Sequence, residues 1–256
     1  MPKKTSNILV IGGHDPTGGA GIQADIETLT ALKCHPSCLI SCLTSQNTSK
    51  FVKTYPIKSE VFKEQAQLLM SDINFDLIKV GAIGSEKIAD EIIEILKILN
   101  KKVIIDPIIS ASMGGEIANL ELIKKIKEEI FPLSYLITPN FSEAKILSED
   151  STLNGLISNE NMNITNILVK DYKPIKNKIT NQLYISKKLV KEWTFDRIPG
   201  NYHGTGCTLS SAITGFLSQG YALKDSIKLA QEFTSESIKN SFTIGKGQKI
   251  LERIRK

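Results

Sequence analysis

The stretch Ile8-Leu9-Val10-Ile11-Gly12-Gly13-His14-Asp15-Pro16-Thr17-Gly18-Gly19-Ala20-Gly21-Ile22-Gln23-Ala24-Asp25 runs from branched apolar residues through a glycine-rich turn into a segment of helical period. Ile8–Gly12 predicts a strand. Ile22–Leu32 predicts a helix burying Ile22, Ile26 and Leu29. Five glycines within residues 12–21 let a backbone close over a flat ligand without interference from side chains. The spacing is not Gly-x-Gly-x-x-Gly and there is no P-loop, so a Rossmann dehydrogenase is disfavoured.

The strand–turn–helix texture recurs outward from this unit. Ser37–Thr44, Leu77–Val80, Val103–Asp106, Tyr135–Thr138 and Ile167–Lys170 predict further strands. Val61–Met70 (burying Phe62, Ala66 and Leu69), Ile88–Leu99 and Leu120–Ile130 predict the crossover helices, which gives βα units and a mainly parallel sheet. Beyond Lys170, Ile179–Ser186 and Lys188–Phe195 predict two antiparallel edge strands, and Thr208–Ser218 and Leu223–Ser241 two long helices. Ser151–Asn166 predicts a surface loop with a short helix. With no linker, repeat or low-complexity stretch, residues 1–256 predict a single domain.

Composition sets the outer limits. The 256 residues are 41% hydrophobic and 23% charged, as in ordinary globular proteins. The net charge of +5 is mild and its lysines are dispersed. This predicts anionic small molecules rather than nucleic acid as partners. The start of the chain is polar, and no run approaches the roughly 18 apolar residues of a membrane span, which predicts a cytoplasmic protein with no membrane partner. Cys34, Cys38 and Cys42 recur every fourth residue, which suggests a metal site. Pro36 and the strand pattern favour buried thiols instead, with Cys38 and Cys42 sharing a face with Ile40.

In an open parallel sheet, ligands bind beyond the carboxyl ends of the strands. The residues there are polar: Gln46-Asn47-Thr48, Asp106-Pro107 before the small run Ser110–Gly115, and Thr138-Pro139-Asn140 with Glu143. An amide at a strand end can read a heterocycle edge, although surface turns also favour Asn and Thr. Asp25 can project back to the glycine turn and accept a substrate hydroxyl, or serve as a favourable helix-start charge. Glu143 can cap a helix. Two carboxylates near a phosphate can also hold Mg²⁺ through water. The second glycine turn is His203-Gly204-Thr205-Gly206-Cys207-Thr208, ahead of a helix over roughly Cys207–Gln219. Free amides and the macrodipole make such a helix start an anion site. The same potential would lower the Cys207 thiol's pKa.

Together, residues 13–25, Gln46-Asn47-Thr48, Lys79-Val80-Gly81, Asp106-Pro107, Thr138-Pro139-Asn140 with Glu143-Ala144, and 203–208 resemble the hydroxymethylpyrimidine/phosphomethylpyrimidine kinases of thiamine biosynthesis, in the ribokinase-like superfamily. The motifs stand in family order over nearly the whole chain. The resemblance implies a three-layer α/β/α sandwich with an antiparallel edge and a homodimer. It also implies ATP- and Mg²⁺-dependent phosphorylation of 4-amino-5-hydroxymethyl-2-methylpyrimidine or its monophosphate. By resemblance, Asp25 and Gln46 hold the pyrimidine with Gly13 against the ring, and Ala82 replaces a methionine that often covers it. The amides of Gly204, Thr205 and Gly206 stabilise the transferring phosphoryl group, and Cys207 is the base. Asp106, Asn140 and Glu143 surround Mg²⁺ (Asp106 and Glu143 as ligands) and the ATP phosphates, with Lys170 at the nucleotide. The chain departs from the family at Lys170-Asp171-Tyr172-Lys173, where relatives carry Lys-Gly-Gly-His, and at Gly245-Lys246-Gly247-Gln248, which lacks a following proline. Two other functions fit the same residues: a pyridoxal kinase, and a non-catalytic pyrimidine-binding protein.

Overall fold

A computed structural model describes residues 5–110, 114–115, 117–148, 150–159, 164–172 and 177–254. Parts of three segments singled out in the sequence, 111–113, 160–163 and Lys173, lie outside the described residues.

The chain runs β1 (Asn7–His14), α1 (Gly21–Ala31), β2 (His35–Gln46), β3 (Phe51–Pro56), α2 (Ser59–Asp72), β4 (Leu77–Val80), α3 (Glu86–Leu99), β5 (Val103–Ile105), α4 (Leu120–Lys125), β6 (Leu136–Ile137), α5 (Phe141–Leu147), α6 (Leu153–Ser158), β7 (Asn166–Val169), β8 (Lys178–Ile185), β9 (Lys188–Asp196), β10 (Tyr202–His203), α7 (Thr205–Ser218), α8 (Leu223–Lys239) and β11 (Lys249–Ile250). The large sheet has the order β3-β2-β1-β4-β5-β6-β7-β8-β9. The six central strands β2-β1-β4-β5-β6-β7 pair in parallel, while β3 at one edge and β8 and β9 at the other pair antiparallel. The chain leaves β1 on one side for β2 and returns on the other for β4. That reversal is a topological switch point, where open α/β sheets open a crevice.

Alternation along the strands builds three layers, because successive side chains point to opposite faces. Leu9, Ile11, Ile78, Val80, Val103, Ile105, Ile137 and Val169 meet helices α2 to α6 in one core. Ile8 and Val10 meet α1, while Leu77, Ile104, Leu136 and Leu168 meet α7 and α8. The predicted α/β/α sandwich is what forms.

Four details differ from the sequence expectation. The sheet has a second antiparallel edge, β3, and a small parallel pair β10–β11. The helix expected over Leu120–Ile130 is α-helical only to Lys125 and continues as a π-helical turn over Ile126–Ile130. Ile26 is exposed, because Asp25 takes the inward position beside Ile22 and Leu29. In β2, Cys38 and Ile40 pack on the α1 side as expected, but the pairing with β1 slips so that Gly12 faces Ile40 and Gly13 faces Cys42. That bulge brings Cys42 beneath the first glycine turn. Among the described residues, no helix is long and apolar enough to cross a membrane.

Candidate active site

The first glycine turn is organised by Asp15. Its carboxylate accepts the Thr17 N–H (2.9 Å), the Thr17 hydroxyl (2.9 Å) and the Ala20 N–H (2.8 Å). The His203 Nε2 lies 2.9 Å from the same group. Burial pushes Asp15 up, but the bonds from His203 and Thr17 outweigh it and hold the carboxyl below its ordinary range. Gly21 has φ +58, and a Cβ there would fall onto the Gly13 carbonyl.

The second turn packs against the first, backbone on backbone. Gly204 has φ +80 and caps α7 in the left-handed region; a Cβ on it would fall onto the Gly19 carbonyl. Only glycine meets both demands. We expect Gly204→Ala to lower stability by roughly 1–3 kcal/mol through backbone strain, plus a further cost for separating the turns. Gly220→Ala isolates the backbone share, since Gly220 has φ +92 and nothing within 4 Å of its Cβ position. Equal losses in urea unfolding would mean that the two turns do not touch.

The two helices behind the turns meet in register. The Gly21 N–H faces Cys207 and draws its thiol's pKa down, and one helical turn deeper Ser211 donates to Asp25 Oδ1 at 2.7 Å. Residues i and i+4 share a helix face, so Gly21 and Asp25 on α1 oppose Cys207 and Ser211 on α7. Lys79 completes the deeper rung, its Nζ 2.9 and 2.8 Å from the two Asp25 oxygens. Asp25 is wholly buried and Lys79 1% exposed. Expected to reach back to a substrate hydroxyl, Asp25 in the ligand-free protein does not line the cleft. Its carboxylate lies under the cleft rather than on the wall, engaged by Lys79 and Ser211.

Above this rung opens a cleft of about 680 Å³ at the carboxyl ends of the strands. Gly13, Gln46, Ala82, Asp106, Asn140, Glu143, Lys170, Gly204, Thr205, Gly206 and Cys207 all line it. Gln46 donates from its amide nitrogen to Thr44 Oγ1 at 2.8 Å. Ala82 packs close to Gly13 and is held through its carbonyl by the Ser41 hydroxyl at 2.5 Å. Asn47 instead shapes its own turn, accepting the N–H groups of Ser49 and Lys50. Thr48 anchors the 245–248 segment, its carbonyl accepting the Gln248 N–H at 2.7 Å.

At the other end, Lys170 Nζ lies 2.6 Å from Asp106 Oδ1, and Asp106 also accepts the hydroxyls of Thr138 (3.0 Å) and Ser210 (3.3 Å). Burial pushes Asp106 up, yet the charges of Lys170 and Lys79 hold it below its ordinary range. Asn140 and Glu143 form a reciprocal capping box on α5, with bonds of 2.8 and 2.9 Å. Burial and then the Asp106 charge push Glu143 up to about 7, against the pull of Lys170. Asp171 adopts φ +50 where the family it resembles carries glycine, and both its oxygens lie on Arg197 Nη2. Aspartate tolerates this conformation better than most residues.

Cys207 departs from expectation in its protonation. Burial pushes the thiol up to about 11, with Asp25 and Asp106 adding to the rise and Lys79 and the Gly21 N–H opposing it. The helix start does not overcome desolvation in the ligand-free protein.

Sheet order, the amide turn at the start of α7 and the strand-end cleft together define the ribokinase-like class of kinase folds. The pyridoxal kinase of Staphylococcus aureus, solved with pyridoxal, shares that fold at a TM-score of 0.87 and 23% identity over 98% of this chain and 94% of that one. The phosphomethylpyrimidine kinase structure from Clostridium difficile aligns at a TM-score of 0.76 and 27% identity over 92% of this chain and 100% of that one. The profile of the phosphomethylpyrimidine kinase family matches residues 15–252, and the chain belongs to that family. The hydroxymethylpyrimidine/phosphomethylpyrimidine kinase of Aquifex aeolicus is 32% identical over 95% of this chain and 98% of its own length. The thiamine biosynthesis bifunctional protein of Geobacter sulfurreducens is 29% identical over 96% of this chain. The chain spans about half the length of that relative and of several others.

Proposed function

We propose that this chain transfers the γ-phosphoryl group of ATP to 4-amino-5-hydroxymethyl-2-methylpyrimidine, to its monophosphate, or to both, in thiamine biosynthesis. The observation that carries this reading is the convergence, in one cleft, of the 204–206 amide turn, Cys207, and the Lys170–Asp106–Glu143 cluster. The names of the relatives supply the pyrimidine, and the S. aureus fold neighbour, solved with ADP and with AMP-PCP and pyridoxal, supports a nucleotide in the same cleft.

Phosphoryl transfer asks for positioning and charge stabilisation more than for covalent chemistry. The amides of Thr205 and Gly206 at the positive end of α7 would hold the transferring group as charge spreads over its oxygens. Lys170 would bind a phosphate oxygen with a point charge. Gln46 would read the pyrimidine edge, with Gly13 and Ala82 leaving room for the ring. Cys207, as thiolate, would accept the alcohol proton at Sγ, helped by Lys79 and the Gly21 N–H.

The residues fit Mg²⁺. Asp106 and Glu143 are two carboxylates close enough that Asp106 pushes Glu143 upward, and an added cation relieves that repulsion. Mg²⁺ is commonly held by one or two carboxylates with water and substrate phosphates filling its remaining positions. Bound there, it would neutralise charge on the nucleotide phosphates.

The test is ADP release by the purified protein with ATP and each pyrimidine, compared with pyridoxal. We expect turnover with at least one pyrimidine at higher kcat/KM than with pyridoxal. ADP release with neither pyrimidine defeats the proposal, and a preference for pyridoxal reassigns the substrate.

A further inference from the structure

Arg253 lies one residue beyond the segment matched by the family profile, near the end of the described chain, and is fully buried. Its guanidinium joins the two glycine turns. Nη2 donates to the Gly19 carbonyl at 2.5 Å, Nε donates to Thr208 Oγ1 at 2.8 Å, and Nη1 lies 2.9 Å from Glu27 Oε2 on α1. A Cβ on Gly204 would sit 2.7 Å from Nη2, so the arginine also packs against the turn itself.

The Thr208 bond fixes more than a side chain. With its lone pair engaged by Arg253, the Thr208 hydroxyl donates to the Gly204 carbonyl at 2.8 Å, which also accepts the Thr208 N–H at 2.9 Å. In a planar trans peptide the carbonyl and the next N–H point in opposite directions. Holding the Gly204 carbonyl inward therefore turns the Thr205 N–H outward, toward the cleft. The charge points the same way. The guanidinium, although paired with Glu27, and the positive end of α7 each favour an anion bound at the turn.

We propose that Arg253 is the positioning residue of the phosphate turn, fixing the Gly204–Thr205 peptide through Thr208 and clamping that turn to the first through Gly19. The proposal rests on the kinase reading for what the turn binds.

The experiment compares the native protein with Arg253→Ala, Arg253→Lys, Thr208→Val and the Arg253→Ala/Thr208→Val pair, each scaled to its folded fraction. Misplacing a reacting group by about 1 Å can cost roughly 100-fold, and we expect kcat to fall by roughly that factor in all variants with the pyrimidine KM unchanged. The double variant should be no worse than the poorer single one, because both act on one peptide. Guanidinium ion should restore part of the Arg253→Ala rate but none of the Thr208→Val rate. If Arg253→Ala does not fold, Thr208→Val alone decides. Calorimetric binding of AMP-PCP gives a second readout, weakened in Thr208→Val without loss of pyrimidine affinity. A native protein that binds AMP-PCP without turnover defeats the kinase reading, while the binding comparison still judges the clamp. Native-like kcat and AMP-PCP affinity in Thr208→Val overturn the proposal, as does additive loss in the double variant.

Discussion

Cys207→Ala is expected to lower kcat on the pyrimidine alcohol by roughly 10²- to 10⁴-fold, the usual worth of a positioned general base. The loss on the monophosphate should be much smaller. A phosphate monoester has its second pKa near 6, so its attacking oxygen is already ionised at neutral pH and presents no proton to remove. Pyrimidine binding should be nearly unchanged, because the side chain is small and Gln46, Gly13 and Ala82 remain. The thiol's own titration gives an independent check. With the free thiol near 9 and the folded one pushed up to about 11, the neutral form is the one that folding favours. Its contribution to stability is full below about 9 and is lost as pH rises through about 11. Alkylation of Cys207 in the ligand-free protein should therefore be slow at neutral pH and accelerate toward pH 11. Fast alkylation at pH 7 would contradict the raised thiol, and equal losses on alcohol and monophosphate would remove Cys207 from the role of base.

The largest stability loss is expected at the buried rung beneath that cysteine. Asp25→Ala leaves the Lys79 ammonium without its carboxylate in a site from which water is excluded, and Lys79→Ala leaves the carboxylate alone. Breaking a buried pair in this way costs roughly 3–5 kcal/mol. Removing both charges with Asp25→Asn/Lys79→Met should cost much less than either single change, because no charge is then stranded. Urea unfolding of the three variants measures this directly. A double variant as unstable as the sum of the singles would show that the rung stabilises through packing rather than mutual neutralisation.

The folding pattern was readable where local rules decide. The β1–turn–α1 unit, the strand-end polar residues and the α7 turn all follow from periodicity and glycine placement, and each strand predicted is present. β3 escaped notice because Phe51–Pro56 is short, lies at an edge and is mostly exposed, so no buried alternation marks it. Asp25 was legible as a helix-start carboxylate, but its partner sits 54 residues away on β4, where Lys79 takes an inward position expected of an apolar side chain. Arg253 gives no local signal at all, since its partners Gly19, Glu27 and Thr208 are 234, 226 and 45 residues distant. For Cys207 the helix start suggested a lowered pKa, and burial reversed the sign. Long-range charge pairing and desolvation are tertiary quantities, and no window of sequence carries them.

The most direct test is a crystal structure with AMP-PCP and the pyrimidine alcohol bound together. The account predicts the terminal phosphonate on the Thr205 and Gly206 amides, and the hydroxymethyl oxygen between that phosphorus and Cys207 Sγ. Phosphates seated away from the 204–206 turn, or an alcohol facing away from Cys207, would contradict it.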